Sequence, residues 1–194
     1  MGDPLAVQKS FALKIEHAFR IRTEVERLDA LHRLVHVVIS MAIEERREGA
    51  ETDLVDRYGA IHRMLRERAV GHALNEIDIA INAGKPDCTH AICAFAIKFA
   101  MPVELAERCI LGADPGLLLL ACRSDNFAWS TVNALLALNP QNLLDQLFTA
   151  QCNEDYHMLA AADAQRFMRL LRVNLNNRGA THVQADEALR TNVR

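Results

Sequence analysis

The chain has 194 residues, 51% of them hydrophobic and 24% charged, with a formal net charge of −3. This is enough apolar material to fill a sizeable core, as one domain or two closely packed subdomains, without help from a cofactor or disulfides. The small negative charge gives no global attraction to nucleic acid or anionic lipid, although local basic faces remain open.

Residues 1–14 lack the basic start and unbroken apolar run of a secretory signal. The apolar run over residues 31–43 contains His32, Arg33 and His36 and is too short to cross a bilayer, so integral membrane association is not expected. The five cysteines, Cys88, Cys93, Cys109, Cys122 and Cys152, are odd in number and lie in apolar, helical surroundings. That usage fits reduced, buried thiols and a cytoplasmic location. Glycine and proline are scarce and strand-like alternation is nearly absent, so the fold is expected to be all-α.

From about Ser10, apolar residues recur mostly three and four apart: Phe11, Ile15, Ala18, Phe19, Ile21, Val25, Leu28, Leu31, Val35, Val38, Ile39 and Ala42. They form one stripe of an amphipathic helix of roughly 35 residues, long enough for an antiparallel pair or a dimer seam. Phe11, Ile15, Val25 and Leu28 are its candidate homodimer contacts, although the stripe drifts across heptad registers and brings in His32. After residues 48–51, a second pattern uses Leu54, Tyr58, Ile61, Leu65, Ala69, Leu74, Ile77 and Ile81. Thr52 or Asp53 is expected to cap it, with a break near Gly71 and an end at Ala83-Gly84, where Lys85-Pro86 turns the chain. Residues 1–84 therefore read as a long-helix subdomain.

Shorter helices and tighter connections follow. A helix over residues 87–100 packs Ile92, Cys93, Phe95, Ala96 and Phe99. Residues 102–140 hold the densest apolar content and read as three helices. The first starts at Pro102 and ends at Leu111, with Gly112 expected to take a positive φ. Asp114 caps the second, with Pro115 in its first turn, and the helix carries Leu117 to Leu120 and Ala121. The third spans about residues 130–138 and packs Val132, Leu135, Leu136 and Leu138. A short helix over residues 141–150 is expected to use Leu143, Leu144, Leu147 and Phe148. Asn153-Glu154-Asp155 then introduces a last major helix from about His157 to Asn176, packed through Leu159, Ala162, Phe167, Leu170, Leu171, Val173 and Leu175. Asn176-Asn177-Arg178-Gly179 is its expected stop. Residues 85–180 thus read as a compact helical array, and residues 181–194 as a short helix or loose tail.

The chemistry-bearing residues give several sparse patterns. His32 and His36 lie one turn apart with Asp29 a turn earlier, a candidate divalent-metal set whose plainer reading is a surface histidine pair. Glu154 and His157 satisfy one Glu-x-x-His spacing, whereas a carboxylate-bridged centre needs two. Cys88-x-His90-x-x-Cys93 offers three ligand types, but no second cysteine pair completes a zinc site. Cys93 and Cys109 stand in no Cys-x-x-Cys pair, so buried packing is the favoured reading for both. No cofactor is implied and no catalytic signature stands in the chain. Arg63, Arg66 and Arg68 are interleaved with Glu67. Arg166, Arg169 and Arg172 recur every three residues as a cleaner ridge, either a solvated face or a surface for an acidic partner. The absence of a helix-turn-helix pattern or an aromatic platform with a basic groove argues against nucleic acid. Phe127 and Trp129 mark a joint between helices, where one ring can pack inward while the other reaches the surface.

The segments Cys122-Arg123, Trp129-Ser130-x-Val132, Ala134-Leu135-Leu136 and Ala164-Gln165-Arg166 resemble the C-terminal pattern of an uncharacterised, predominantly alphaproteobacterial family of HEAT-like helical proteins. The resemblance covers about 70 to 80 residues, implies an array of short antiparallel helices, and carries no established catalytic residues. Residues 125–126 depart from the more apolar, glycine-containing run of that family. The function expected is a cytoplasmic helical adaptor or regulatory module that binds a protein partner through Phe127, Trp129, Arg166, Arg169 and Arg172. Two alternatives stand beside it: a metal-dependent hydrolase or oxidoreductase using His32 and His36, and a small-ligand sensor with an apolar pocket between helices.

Overall fold

A computed structural model describes residues 33, 35–38, 40, 51–69, 73–142 and 146–191. From Glu51 to Thr191 the described residues form eight helices, and no strand occurs among the described residues, which makes the protein all-α. Residues 33, 35–38 and 40 are helical, with Val35 and Val38 buried and His36 exposed, as the amphipathic stripe requires. The rest of that stripe, with Phe11, Ile15, Val25, Leu28 and His32, lies outside the described residues.

Helix α1 (Glu51–Ala69) contributes Tyr58 and Leu65 to the core. It begins at Glu51, so Thr52 and Asp53 stand inside it rather than capping it. The expected break falls beyond Ala69, and helix α2 (Glu76–Ala83) restarts on a capping box. The Asn75 side chain accepts from the Asp78 N–H at 3.1 Å, and the Asp78 carboxylate accepts from the Asn75 N–H at 2.9 Å. This restart rotates the apolar face. Ile79, Asn82 and Ala83 are buried, whereas Ile77 and Ile81, expected on the packed side, are 68% and 61% exposed. The pattern carried on from α1 loses phase because the break does not preserve the helical register.

Helix α3 (Thr89–Phe99) is buried almost all round from Ala91 to Ala96 and packs against α1, α2 and α4. Its alanines allow those close approaches. The helix ends in a Schellman motif: the Met101 N–H donates to the Ala96 carbonyl at 3.0 Å, Ala100 takes φ 52°, and Met101 is buried behind it. The chain then bends by 119° into α4 (Val103–Leu111). Pro102 is extended at φ −56°, ψ 146°, one residue before the helix. Gly112 does not take the expected positive φ; its φ is −68°. Its requirement is steric, since a Cβ there would sit 2.3 Å from the Arg108 carbonyl oxygen.

Helix α5 (Gly116–Ser124) is buried from Gly116 through Cys122. Pro115, expected in the first turn, takes the N-cap position with helical angles, and Asp114 stands one residue before it, where its carboxylate accepts from the Gly116 N–H at 2.8 Å. Burial raises the Asp114 carboxyl from 3.8 to about 6, against the opposing Gly116 hydrogen bond. The folded state therefore holds this proton between pH 3.8 and about 6 while the unfolded chain has lost it. The Asp114 contribution is most favourable at low pH and falls as pH rises through that window. Asp114→Asn keeps the acceptor and removes the charge. In urea titrations at pH 4 and pH 7.5, the variant is expected to gain on the wild type by about 2 kcal/mol over that interval. An unchanged difference between the two pH values would contradict the assignment.

Helix α6 (Trp129–Leu136) follows Ala128, which offers no capping side chain. The cap comes instead from α2. One oxygen of Glu76 accepts from the Ala128 N–H at 2.6 Å and from the Thr131 hydroxyl at 2.7 Å, placing a negative charge at the α6 N-terminus, where the helix dipole favours it. At the other end, the buried Asn139 amide donates to the Leu111 and Gly112 carbonyls at 2.9 and 3.1 Å and ties α6 to the end of α4.

The last two helices depart from expectation. Helix α7 (Gln146–Met158) runs straight through Asn153-Glu154-Asp155, and helix α8 (Ala161–Thr191) starts after a break at Leu159-Ala160. That break is fixed by tertiary contacts: Leu159 is buried, and its carbonyl accepts from Arg123 Nε at 2.8 Å. Leu147 is 82% exposed and Val173 is exposed, so neither packs as expected. Helix α8 continues past residues 176–179, because asparagine and glycine inside a helix cost only up to about 1 kcal/mol each and no proline follows. It lies chiefly on α5, through buried Ala164, Phe167, Met168 and Leu171.

The buried residues form one core cluster that includes Val35 and Val38, extends to Leu171 and joins the residues on both sides of the turn after Ala83. Among the described residues, no single helix is long and apolar enough to cross a membrane.

Candidate functional site

Two helix ends and one helix side converge on a cleft of about 270 Å³ lined by Lys98 and Phe99 of α3, Ser124 and Asp125 after α5, and Gln165, Met168, Arg169 and Arg172 of α8. Each wall has a local cause. Helix α3 stops at the Ala100 corner. Helix α5 stops at a second Schellman motif, in which Asn126 takes φ 56° and the Phe127 N–H donates to the Cys122 carbonyl at 3.1 Å. Asparagine tolerates this left-handed conformation better than most residues. The Asp125-Asn126 step is therefore the turn that ends α5, and Phe127 is the apolar residue such a turn folds back onto the helix.

Phe127 is accordingly 3% exposed and belongs to the core, with its ring 5.8 Å from that of Phe99. It cannot serve as a surface anchor in this conformation. Trp129 is partly buried, 5.9 Å from the Tyr156 ring. Tyr156 donates its hydroxyl to the Phe127 carbonyl at 2.5 Å, and the Arg123 guanidinium lies 5.4 Å over its ring. The joint expected at residues 127–131 is thus a packed aromatic hinge of α5, α6 and α7, with Trp129 as its partly open edge.

The arginine ridge divides. Arg166 lies 3.9 Å from the Asp163 carboxylate and is not among the residues that line the cleft. Arg169 and Arg172 are exposed, line the cleft and pair with no carboxylate among the described residues. Across from them Lys98 Nζ meets Asp125 Oδ2 at 2.7 Å. The Gln165 amide donates to the Ser124 carbonyl at 3.1 Å and holds α8 against the end of α5. Three cations thus face one carboxylate over an apolar floor of Phe99 and Met168. Such a surface suits an anion that also brings apolar carbon. The cation excess also complements the partial negative charge at the ends of α3 and α5.

The remaining candidates do not assemble. His36 is exposed, and its partners His32 and Asp29 lie outside the described residues. Cys88 precedes α3, His90 is partly buried in its first turn, and Cys93 is buried with its thiol 3.8 Å from the Tyr58 carbonyl. Among the described residues, no group of three or more histidine, cysteine or acidic side chains is placed to hold a metal ion. Burial pushes the thiols of Cys93 and Cys152 up to about 12 and raises those of Cys109 and Cys122 well above the usual thiol range, so these four are not nucleophiles at neutral pH. Arg63, Arg66 and Arg68 are exposed along α1.

Neither Lys98 nor Asp125 is a candidate site residue by sequence, although residues 125–126 stand out there as a departure from the family pattern. Nothing local links positions 27 apart, and the available signal was Asn126 as a left-handed helix stop, which fixes Asp125 at the rim. Comparison with family models, with curated proteins and with solved structures returns no match, so the reading of the cleft rests on its own geometry.

Proposed function

We propose that the protein is a helical interaction module that binds an acidic segment of a partner protein in the α3–α5–α8 cleft. The observation that carries this reading is the pair Arg169 and Arg172, two exposed guanidiniums one turn apart on a helix anchored by Phe167 and Met168. Guanidinium groups match carboxylates in a planar, two-bond geometry, and rigid presentation lowers the ordering cost of binding. A mouth of this size takes one or two side chains, which fits peptide recognition better than enclosure of a whole small molecule. The same reading includes a HEAT-like stacking of the short helices, a cytoplasmic setting, and Trp129 as a contact at the edge of the hinge. Self-association through Phe11, Ile15, Val25 and Leu28 completes it.

The test is binding of a fluorescein-labelled peptide of alternating glutamate and leucine, followed by anisotropy. Arg169→Ala with Arg172→Ala is expected to weaken binding by at least tenfold, and raising the salt from 50 to 300 mM is expected to weaken the wild type likewise. Equal binding by wild type and variant, or equal binding of a lysine–leucine peptide, would refute the reading.

A further inference from the structure

We propose that Asp125 is a built-in competitor for the acidic ligand: it occupies Lys98 in the free protein and gives it up when a ligand carboxylate enters. This rests on the reading of the cleft given above and adds a regulatory residue to it. Asp125 is the only carboxylate among the residues that line the cleft, and it meets the only lining cation that has a partner there.

The two members of the pair are unequally placed. The Lys98 side chain is 19% exposed and that of Asp125 is 45% exposed. Lys98 is therefore confined by its surroundings, while the Asp125 carboxylate can rotate into water with little loss. The Asp125 backbone stays fixed, because its N–H donates to the Cys122 carbonyl at 3.3 Å and the following Asn126 corner closes α5. A ligand that reaches the cleft finds Arg169 and Arg172 open at once. A second carboxylate on the same ligand gains Lys98 only by displacing Asp125. The cleft so built discriminates for peptides with two neighbouring carboxylates and against isolated acidic residues, since an isolated one leaves the internal pair in place and still meets the repulsion of Asp125.

The sign of one substitution separates this from a structural role. Asp125→Asn removes the competitor and a negative charge while keeping the size of the side chain. It is expected to tighten binding of the glutamate–leucine peptide by roughly threefold to tenfold at low salt. In a Lys98→Met background the same substitution is expected to give less than half of that gain on a logarithmic scale, because the freed cation is gone. A residue that only shaped the cleft would weaken binding when replaced. Thermal melts of each variant establish that it is folded, and the half-exposed Asp125 side chain makes that outcome expected. Binding by Asp125→Asn equal to or weaker than wild type, with Arg169→Ala and Arg172→Ala still losing affinity, would overturn the competitor and leave the cleft standing. No measurable binding by wild type and by Asp125→Asn would overturn both.

Discussion

Phe167→Ala is expected to cost about 3–5 kcal/mol of stability, the largest single loss from α8. Phe167 has no exposed surface and, with Ala164, Met168 and Leu171, forms the face that holds α8 on α5. Truncating the ring loses its transfer free energy and leaves a cavity between elements that are tied elsewhere, so the site can collapse only in part. Those ties include the Gln165 amide on the Ser124 carbonyl and Arg123 on the Leu159 carbonyl just before α8. Because Arg169 and Arg172 stand on the same stretch of helix, the variant is also expected to lose peptide binding under conditions where it is still mostly folded. The control is Val173→Ala, six residues on and exposed, expected within about 0.5 kcal/mol of wild type. Urea unfolding of both variants checks the pair; similar losses at the two positions would mean that α8 does not pack through the face described.

Gly112→Ala is expected to cost about 2–4 kcal/mol, although its backbone angles are ones that alanine adopts freely. The added Cβ would lie 2.3 Å from the Arg108 carbonyl oxygen and 3.3 Å from its carbonyl carbon. These atoms belong to the last turn of α4, and that carbonyl already accepts from the Gly112 N–H at 2.9 Å. Relief therefore means moving backbone, which also shifts the Gly112 carbonyl away from buried Asn139. Gly84 is the matched contrast. It closes α2 at φ −77°, and a Cβ there would meet only carbonyl oxygens at 3.6 and 3.7 Å, ordinary contact. Gly84→Ala is expected to be neutral or to stabilise by up to about 1 kcal/mol, because the unfolded chain loses more freedom than the folded one. Chemical denaturation of the two variants should therefore give effects of clearly different size; equal destabilisation would contradict the geometry at Gly112.

These two glycines show where the sequence was legible and where it was not. Both were placed at helix ends, and both are there. That Gly112 is needed for space and not for a positive φ depends on the path of the chain after α4, which no local pattern encodes. The left-handed corners fell on Ala100 and Asn126 instead. Alanine gives no hint of such a role, and Asn126 is one polar residue among several in its connection. The core of α3, α5 and α6 was legible because Leu117 to Leu120, Phe95 and Leu135 are apolar at any helical phase. Ile77, Ile81 and Leu147 face solvent because each follows a break, and a periodicity extended across a break does not carry the new rotation of the helix. The α7–α8 boundary differs from the sequence reading for a related reason: polar residues 153–155 look like a connection, yet the break comes about one turn after Asp155, where Arg123 reaches the Leu159 carbonyl. Of the candidate site, the sequence showed one wall, Arg169 and Arg172. Lys98 and Asp125 come to it only because the C-terminal end of α3 meets the corner after α5, where Lys98 reaches Asp125 and the Phe99 ring reaches Phe127.

Backbone amide NMR gives the most direct test of that cleft. Titration of the labelled protein with the unlabelled glutamate–leucine peptide is expected to move the resonances of Lys98, Phe99, Asp125, Gln165, Arg169 and Arg172 together, with one dissociation constant, and to leave the exposed Ile77 and Ile81 face of α2 unmoved. Shifts confined to that apolar face, or no shifts at all, would contradict the assignment of the cleft as the binding site.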